Sequence, residues 1–237
     1  MLYLDHAATT PLRPEVQDAM VPFVGERFGN PSGVHTTAQQ AKNAVEEARE
    51  EIASLIGASR PLEIVFTGSG TEADNLAVLG ASWTGRGGIV TTAVEHAAVL
   101  ESARFAERSG MSATVVPVDR SGRVSPVDVA DAVGDDTAVV SVMMANNETG
   151  VCQPVEEVTR LVRAAGTRTL VHTDAVQAFA SLPVEVHDSG PDLISVSAHK
   201  IGGPQGVGFL FVRHGIELEP VIHGGGQELG RRSGTHN

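Results

Sequence analysis

Seven short runs rich in β-branched residues, at 63–67, 88–92, 113–117, 138–143, 169–173, 193–197 and 207–212, alternate with stretches of helical spacing at 71–82, 97–109, 125–133 and 155–165. Most of these runs are apolar along their whole length, so a strand built from them has no face to leave in water. Such strands need cover on both sides, and the intervening helices supply it. The expected fold class is therefore α/β, a mostly parallel sheet covered by helices on both faces. With 41% hydrophobic residues in 237, the chain can bury a sizeable core, as one large domain or one domain with a piece of a second.

A longer helix is expected ahead of the sheet, over 37–56. Ala38, Ala41, Val45, Ala48, Ile52 and Leu55 step by three and four and define one apolar stripe, with Gly57 placed to end the helix. Core packing explains the stripe, and a subunit contact is the other reading. The last stretch, 224–237, is polar and glycine-rich with no closing element, and reads as a chain cut in mid-architecture.

A net charge of −12 argues against nucleic acid or an anionic membrane as partner, while leaving room for a local phosphate pocket. The single cysteine, Cys152, excludes an internal disulfide and fits a reducing compartment. No signal peptide and no membrane-spanning run is visible, so a cytoplasmic location is expected.

The chemistry-bearing residues gather where the strands end. Thr67-Gly68-Ser69-Gly70-Thr71-Glu72 follows one strand and opens a helix, where free N–H groups and the helix dipole favour a phosphate. Thr71 either adds a hydroxyl to the phosphate or caps the helix. Gly68, Gly70 and Ala73 also fit a dinucleotide fingerprint, with Glu95 near the position of a ribose-binding acid. His172 and Asp174 close another strand. A buried Asp174 wants a cationic partner, such as a protonated pyridine nitrogen. A metal site beginning at His172, or a structural carboxylate, are the alternatives.

His96 either stacks on an aromatic ligand or satisfies a strand-end hydrogen bond. Asn146 and Asn147 lie in a turn-forming segment beside the same edge, and Cys152 just beyond them is expected to be buried and inert. In Ser197-Ala198-His199-Lys200, a lysine stands between an apolar strand and a glycine turn, where an amine could form an imine with a carbonyl.

Taken together these segments resemble the cysteine desulfurases, enzymes of the class V aminotransferase group that depend on pyridoxal 5'-phosphate (PLP) and share the fold type I architecture. The matching segments run in order along the chain: Tyr3 to Pro11, Phe28 to Ser32 with His35, Phe66 to Asn75, Glu95-His96, Asn146 to Gly150, His172 to Gln177, Ser195 to Lys200, His223 to Glu228 and Arg232 to Thr235. The resemblance implies roles. Lys200 would hold the cofactor as an imine and move the substrate Cα proton. Asp174 would pair with the pyridine nitrogen, Gln177 with the phenolic oxygen, and His96 would stack on the ring with Asn147 beside it. Gly70, Thr71, Ser197 and His199 would hold the phosphate, and Thr235 would reach the phosphate of a partner in a homodimer.

The resemblance also implies the reaction, L-cysteine to L-alanine with sulfur passed to an enzyme persulfide, and partners that are sulfur acceptors or scaffolds of iron–sulfur assembly or tRNA thiolation. It divides the chain into an N-terminal segment, 1–14, and a PLP-binding large domain, 15–237, with the small domain absent. The family's sulfur-accepting cysteine lies downstream of the Arg232 motif, and Cys152 does not occupy that position. The chain is thus expected to be a fragment that transfers no sulfur. A selenocysteine lyase, racemase or aminotransferase, a PLP-binding scaffold and a nicotinamide enzyme are the competing readings.

Overall fold

A computed structural model describes residues 2–186 and 188–236. Seven strands form one sheet: β1 (Ile64–Thr67), β2 (Gly88–Thr92), β3 (Ala113–Val116), β4 (Thr137–Ser141), β5 (Leu170–Asp174), β6 (Leu193–Ser197) and β7 (Gly208–Val212). Their order is β1-β7-β6-β5-β4-β2-β3. Only β7 runs against its neighbours, pairing antiparallel with both β1 and β6; the other pairs are parallel. Six strands therefore end on one edge, which is where a ligand crevice forms in sheets of this kind.

The period-2 alternation of each strand divides the core between the two faces. Leu210 and Val212 of β7 pack on one side with α3 (Gly70–Ser82) and α4 (Ala97–Arg108), in a cluster that includes Leu76, Val78 and Val99. Phe209 and Phe211 pack on the other side with Ala53 and Ile56 of α2 (Thr36–Ile56). A third cluster joins Val129 of α5 (Pro126–Asp131) and Val158 and Val162 of α6 (Val155–Ala164) to Val140 and Val171. Helices cover both faces, as the sequence requires.

Two expectations need correction. The α2 stripe holds at Ala38 and Ala41, but further along the buried positions are Arg49, Ala53 and Ile56, while Ala48 and Leu55 are exposed. The reason is Arg49, whose guanidinium is drawn inward by a carboxylate from the far end of the chain. The second is Cys152, which is exposed. The backbone there is held by an isolated bridge to Ala145, and the thiol lies on the outside. An element absent from the sequence reading is α1 (Pro14–Val24), which starts on a proline suited to a first helical turn and buries none of its residues.

Candidate active site

At the edge where the parallel strands end lies a cavity of about 300 Å3. Gly70, Thr71, His96, Asn147, Asp174, Gln177, Ser197, His199 and Lys200 all line it, nine of the ten site residues expected from sequence. The tenth, Thr235, is exposed on the 223–236 segment and lies outside the lining. Ala8, Ser69, Asp74, Met143 and Val176 complete the wall.

The end where a phosphate is expected is built by β1 and α3. Ser69, not Thr71, caps α3, its Oγ accepting the Glu72 N–H at 3.1 Å. Ser69-Gly70-Thr71-Glu72 has the capping-box pattern, a signal present in the sequence. The Glu72 carboxylate turns back to accept the Gly68 N–H at 2.9 Å and so holds the turn. A Cβ on Gly70 would stand 2.9 Å from Val176 Cγ2 and 3.2 Å from Ser197 Cβ, so only glycine leaves this cradle open.

The opposite end is acidic and buried. Asp174, at the end of β5, accepts the Val176 N–H at 2.8 Å, and burial pushes its carboxyl above the usual range. Asp74 of α3 is driven well above its ordinary value by burial and then by Asp174. Its Oδ1 has no hydrogen-bond partner. Glu95 is raised to about 8, chiefly by burial. Behind them His172 bonds Ser141 Oγ through Nδ1 at 2.8 Å and Ser195 Oγ through Nε2 at 2.9 Å, and burial lowers it to about 3. The imidazole is neutral and both ring nitrogens are engaged. Among the described residues no cluster of three ligating side chains occurs around it.

The dinucleotide reading fails. Glu95 is buried, and its Oε1 accepts from Thr92 Oγ1 and from the Met143 N–H, both at 2.8 Å, so it is a strut between β2 and β4 and not a ribose ligand. The two asparagines divide their tasks. Asn146 spends its side chain on Val94 O and on the N–H groups of Glu148 and Thr149, while Asn147 lines the cavity. His96 meets both of its readings: its Nδ1 caps α4 by accepting the Ala98 N–H at 3.1 Å, and its ring forms cavity wall.

Lys200 sits on a single 3-10 turn, Ala198–Lys200, directly after β6. Its ammonium donates to the carbonyls of Ala7 and, at 2.8 Å, Ala8. Gln177 Nε2 donates to the same Ala7 carbonyl at 2.8 Å. Burial lowers the Lys200 amine from its ordinary value, against the attraction of Asp5 and Asp174. The lining thus asks for an anion at the α3 N-terminus, a cation beside Asp174 and a group that reacts with an amine. PLP fits all three through its phosphate, its pyridine nitrogen and its aldehyde.

The Aminotransferase class-V family model matches residues 2–233. The chain is 48% identical over 239 residues to cysteine desulfurase IscS of Dictyoglomus turgidum, across all of this chain and 60% of that protein. It is 43% identical to cysteine desulfurase NifS of Azotobacter vinelandii, covering 59% of it. Among solved structures, a NifS-like protein superposes with a TM-score of 0.95 at 42% identity, over all of this chain and 65% of the other. SspA in complex with cysteine gives 0.95 at 39% identity, covering 69% of that chain. The chain spans about 60% of the length of these curated relatives.

Proposed function

Because the chain belongs to the Aminotransferase class-V family, we propose that it is the PLP-binding portion of a cysteine desulfurase. The carrying observation is that Lys200 and the buried Asp174 line one cavity with the N-terminus of α3. Residues 15–237 form the cofactor-binding unit on this reading, with 1–14 as an N-terminal segment from which Ala8 joins the cavity wall. When bound, PLP supplies an electron sink that stabilises negative charge at the substrate Cα.

The protein's own groups do the rest. The Ser69–Thr71 turn, Ser197 and His199 hold the phosphate through N–H and hydroxyl donors and the α3 dipole. Asp174, kept from water, favours a protonated ring nitrogen beside it. His96 would face the ring, Gln177 would hydrogen-bond its phenolic oxygen, and Asn147 would lie beside it near the substrate. Lys200 would hold the cofactor and, as a free amine, would move the substrate Cα proton. L-Cysteine fits this reading, since the SspA structure holds cysteine. In the whole enzyme a cysteine thiolate would attack the substrate Sγ and keep it as a persulfide, the Cβ–Sγ electron pair would go to carbon, and Cβ would take a proton to leave as L-alanine; this chain, which spans about 60% of its relatives, is proposed as a fragment that does not complete the transfer.

Cys152 lies outside the cavity lining, so we assign it no part in the transfer. Thr235, exposed beyond the cavity, is free to serve a second copy's phosphate in a homodimer. Sulfur-acceptor proteins and a cytoplasmic setting complete the proposal; among the described residues no helix is long and apolar enough to cross a membrane.

The test is an absorbance spectrum of the chain with PLP, followed by borohydride reduction and peptide mass mapping. The sequence has two lysines, Lys42 and Lys200, so Lys42 is an internal control. A pyridoxyl adduct confined to Lys200, and lost in Lys200→Ala, supports the reading. A chain that circular dichroism shows to be folded, yet bears no adduct at Lys200, overturns it.

A further inference from the structure

Residues 5–13 are laced to the turn that carries Lys200. The Thr10 N–H and Thr10 Oγ1 both donate to His199 O at 2.9 Å, and Thr10 Oγ1 accepts the Gly202 N–H at 2.8 Å. His199 Nδ1 meets Thr9 Oγ1 at 3.1 Å, and the Arg13 N–H donates to Gly202 O at 2.9 Å. A turn closed by the Ala8 N–H on Asp5 O at 3.1 Å precedes this lacing. The carbonyls of Ala7 and Ala8 come out of that turn onto Lys200 Nζ.

We propose that the Ala7 and Ala8 carbonyls are a receptor for the Lys200 ammonium, so that the N-terminal segment stabilises the charge this lysine gains when it takes a proton. The inference rests on Lys200 being the proton-moving amine. An ammonium carries three donors and no acceptor, so two convergent carbonyls favour it. A neutral amine keeps a lone pair that carbonyls cannot satisfy. In the step itself the substrate Cα–H bond breaks, its electron pair stays with carbon, and the proton forms the third N–H bond of the ammonium. The carbonyls are already in place where that charge develops and need no reorganisation. They thereby act as positioning groups for the base and leave its lone pair free until the proton arrives.

Other groups face the same amine. Asp5 from the segment and Asp174 from the end of β5 attract it; burial opposes the charge, and His199 stands next to it on the turn. His96 and Asp74 lie on the remaining walls. The experiment must separate the carbonyls from these, and two lysines make that practical. The cofactor-free chain is labelled with 15N,13C-lysine, Lys42→Arg assigns the signals, and the Lys200 resonance is titrated by NMR. Asp5→Asn is compared with Asp5→Asn/Thr9→Val/Thr10→Val, in which the hydroxyls that lace the segment are gone and the Asp5 charge is absent from both.

A fall of about one pH unit or more in the Lys200 midpoint on unlacing supports the receptor. A rise means that the segment only desolvates the lysine, and an unchanged midpoint means that the carbonyls contribute nothing; either overturns the proposal. Should the triple variant not fold, exchange of the ammonium protons with water decides it in the wild-type chain: slower at Lys200 than at Lys42 supports the receptor, and equal rates overturn it. None of these readouts uses PLP, so an absent pyridoxyl adduct would strike the cofactor reading alone.

Discussion

Glu72 and Arg232, 160 positions apart, meet in a 2.7 Å ion pair that ties the turn at the N-terminus of α3 to the far end of the chain. The other Glu72 oxygen accepts the Gly68 N–H, so one carboxylate holds both the turn and the segment that carries Thr235.

This arrangement separates two effects of mutation. Glu72→Ala removes the Gly68 contact and the ion pair together, whereas Arg232→Ala removes only the pair. The pair is partly exposed and worth about 1 kcal/mol or less, while an orphaned turn N–H costs about as much again or more. Glu72→Ala is expected to lower the melting temperature by several degrees and to weaken PLP binding by about tenfold. Arg232→Ala should do roughly half of the former and little of the latter. Thermal melts and fluorescence titration with PLP give both numbers; equal losses of PLP affinity in the two variants would mean that the turn does not depend on Glu72.

Gly208 makes the next prediction. It lies in β7 beside the Ser69–Gly70 turn, and a Cβ there would stand 2.6 Å from Val196 O and 3.0 Å from the Ser69 carbonyl carbon. Both are backbone, so neither can swing away. Gly208→Ala is expected to destabilise the chain by about 1–3 kcal/mol through overpacking and to displace the Ser69–Gly70 turn, which on the proposed reading would receive the phosphate. Gly25→Ala, where a Cβ meets nothing within 4 Å, is the matched control. Circular dichroism melts and PLP titration of the two variants should differ clearly. Matching behaviour would show that the sheet edge yields where the structure says it is closed.

Much of this architecture was legible in the sequence because it depends on local pattern. The β-branched runs give six of the seven strands to within a residue at each end, and the glycine turns and strand-end residues find the cavity. What was missed depends on distance. Arg49 looks outward by helical spacing, yet it is buried because Glu228, 179 positions later, takes both of its terminal nitrogens at 2.8 and 2.7 Å. Nothing local announces that partner. Glu228 and Leu229 adopt positive φ of 51° and 58° without being glycine or asparagine, so the bend that delivers the carboxylate leaves no sequence signature. The role of Asp74 is hidden in the same way, since a mid-helix aspartate reads as surface until the neighbouring strands close over it. Cys152 stands among apolar residues that suggest burial, yet its thiol is exposed where the backbone bridges to Ala145.

The buried titratable groups set how stability varies with pH. Burial alone would raise Glu228, yet hydrogen bonds from Arg49 and His236 hold it at about 2. Its contribution is present above the unfolded value of 4.5 and is lost as pH falls through about 2. His172, lowered to about 3 by burial, acts in the same direction: folding keeps it neutral, and the unfolded chain gains a proton there below 6.5. Glu95, raised to about 8, has the opposite sign. Its protonated form is favoured in the fold, so its contribution is full below 4.5 and is lost as pH rises through about 8. Asp74 and Asp174, which burial also raises, act with Glu95, so urea midpoints of the cofactor-free chain should peak on the acidic side of neutrality and decline toward both limits. Glu95→Gln, which stays neutral, is expected to lessen the decline between pH 4.5 and 8, leaving the share of the two aspartates and the acid limb in place. His172→Gln should flatten the fall between 6.5 and 3. An alkaline decline as steep in Glu95→Gln as in the wild-type chain would show that Glu95 is not the group that ionises there.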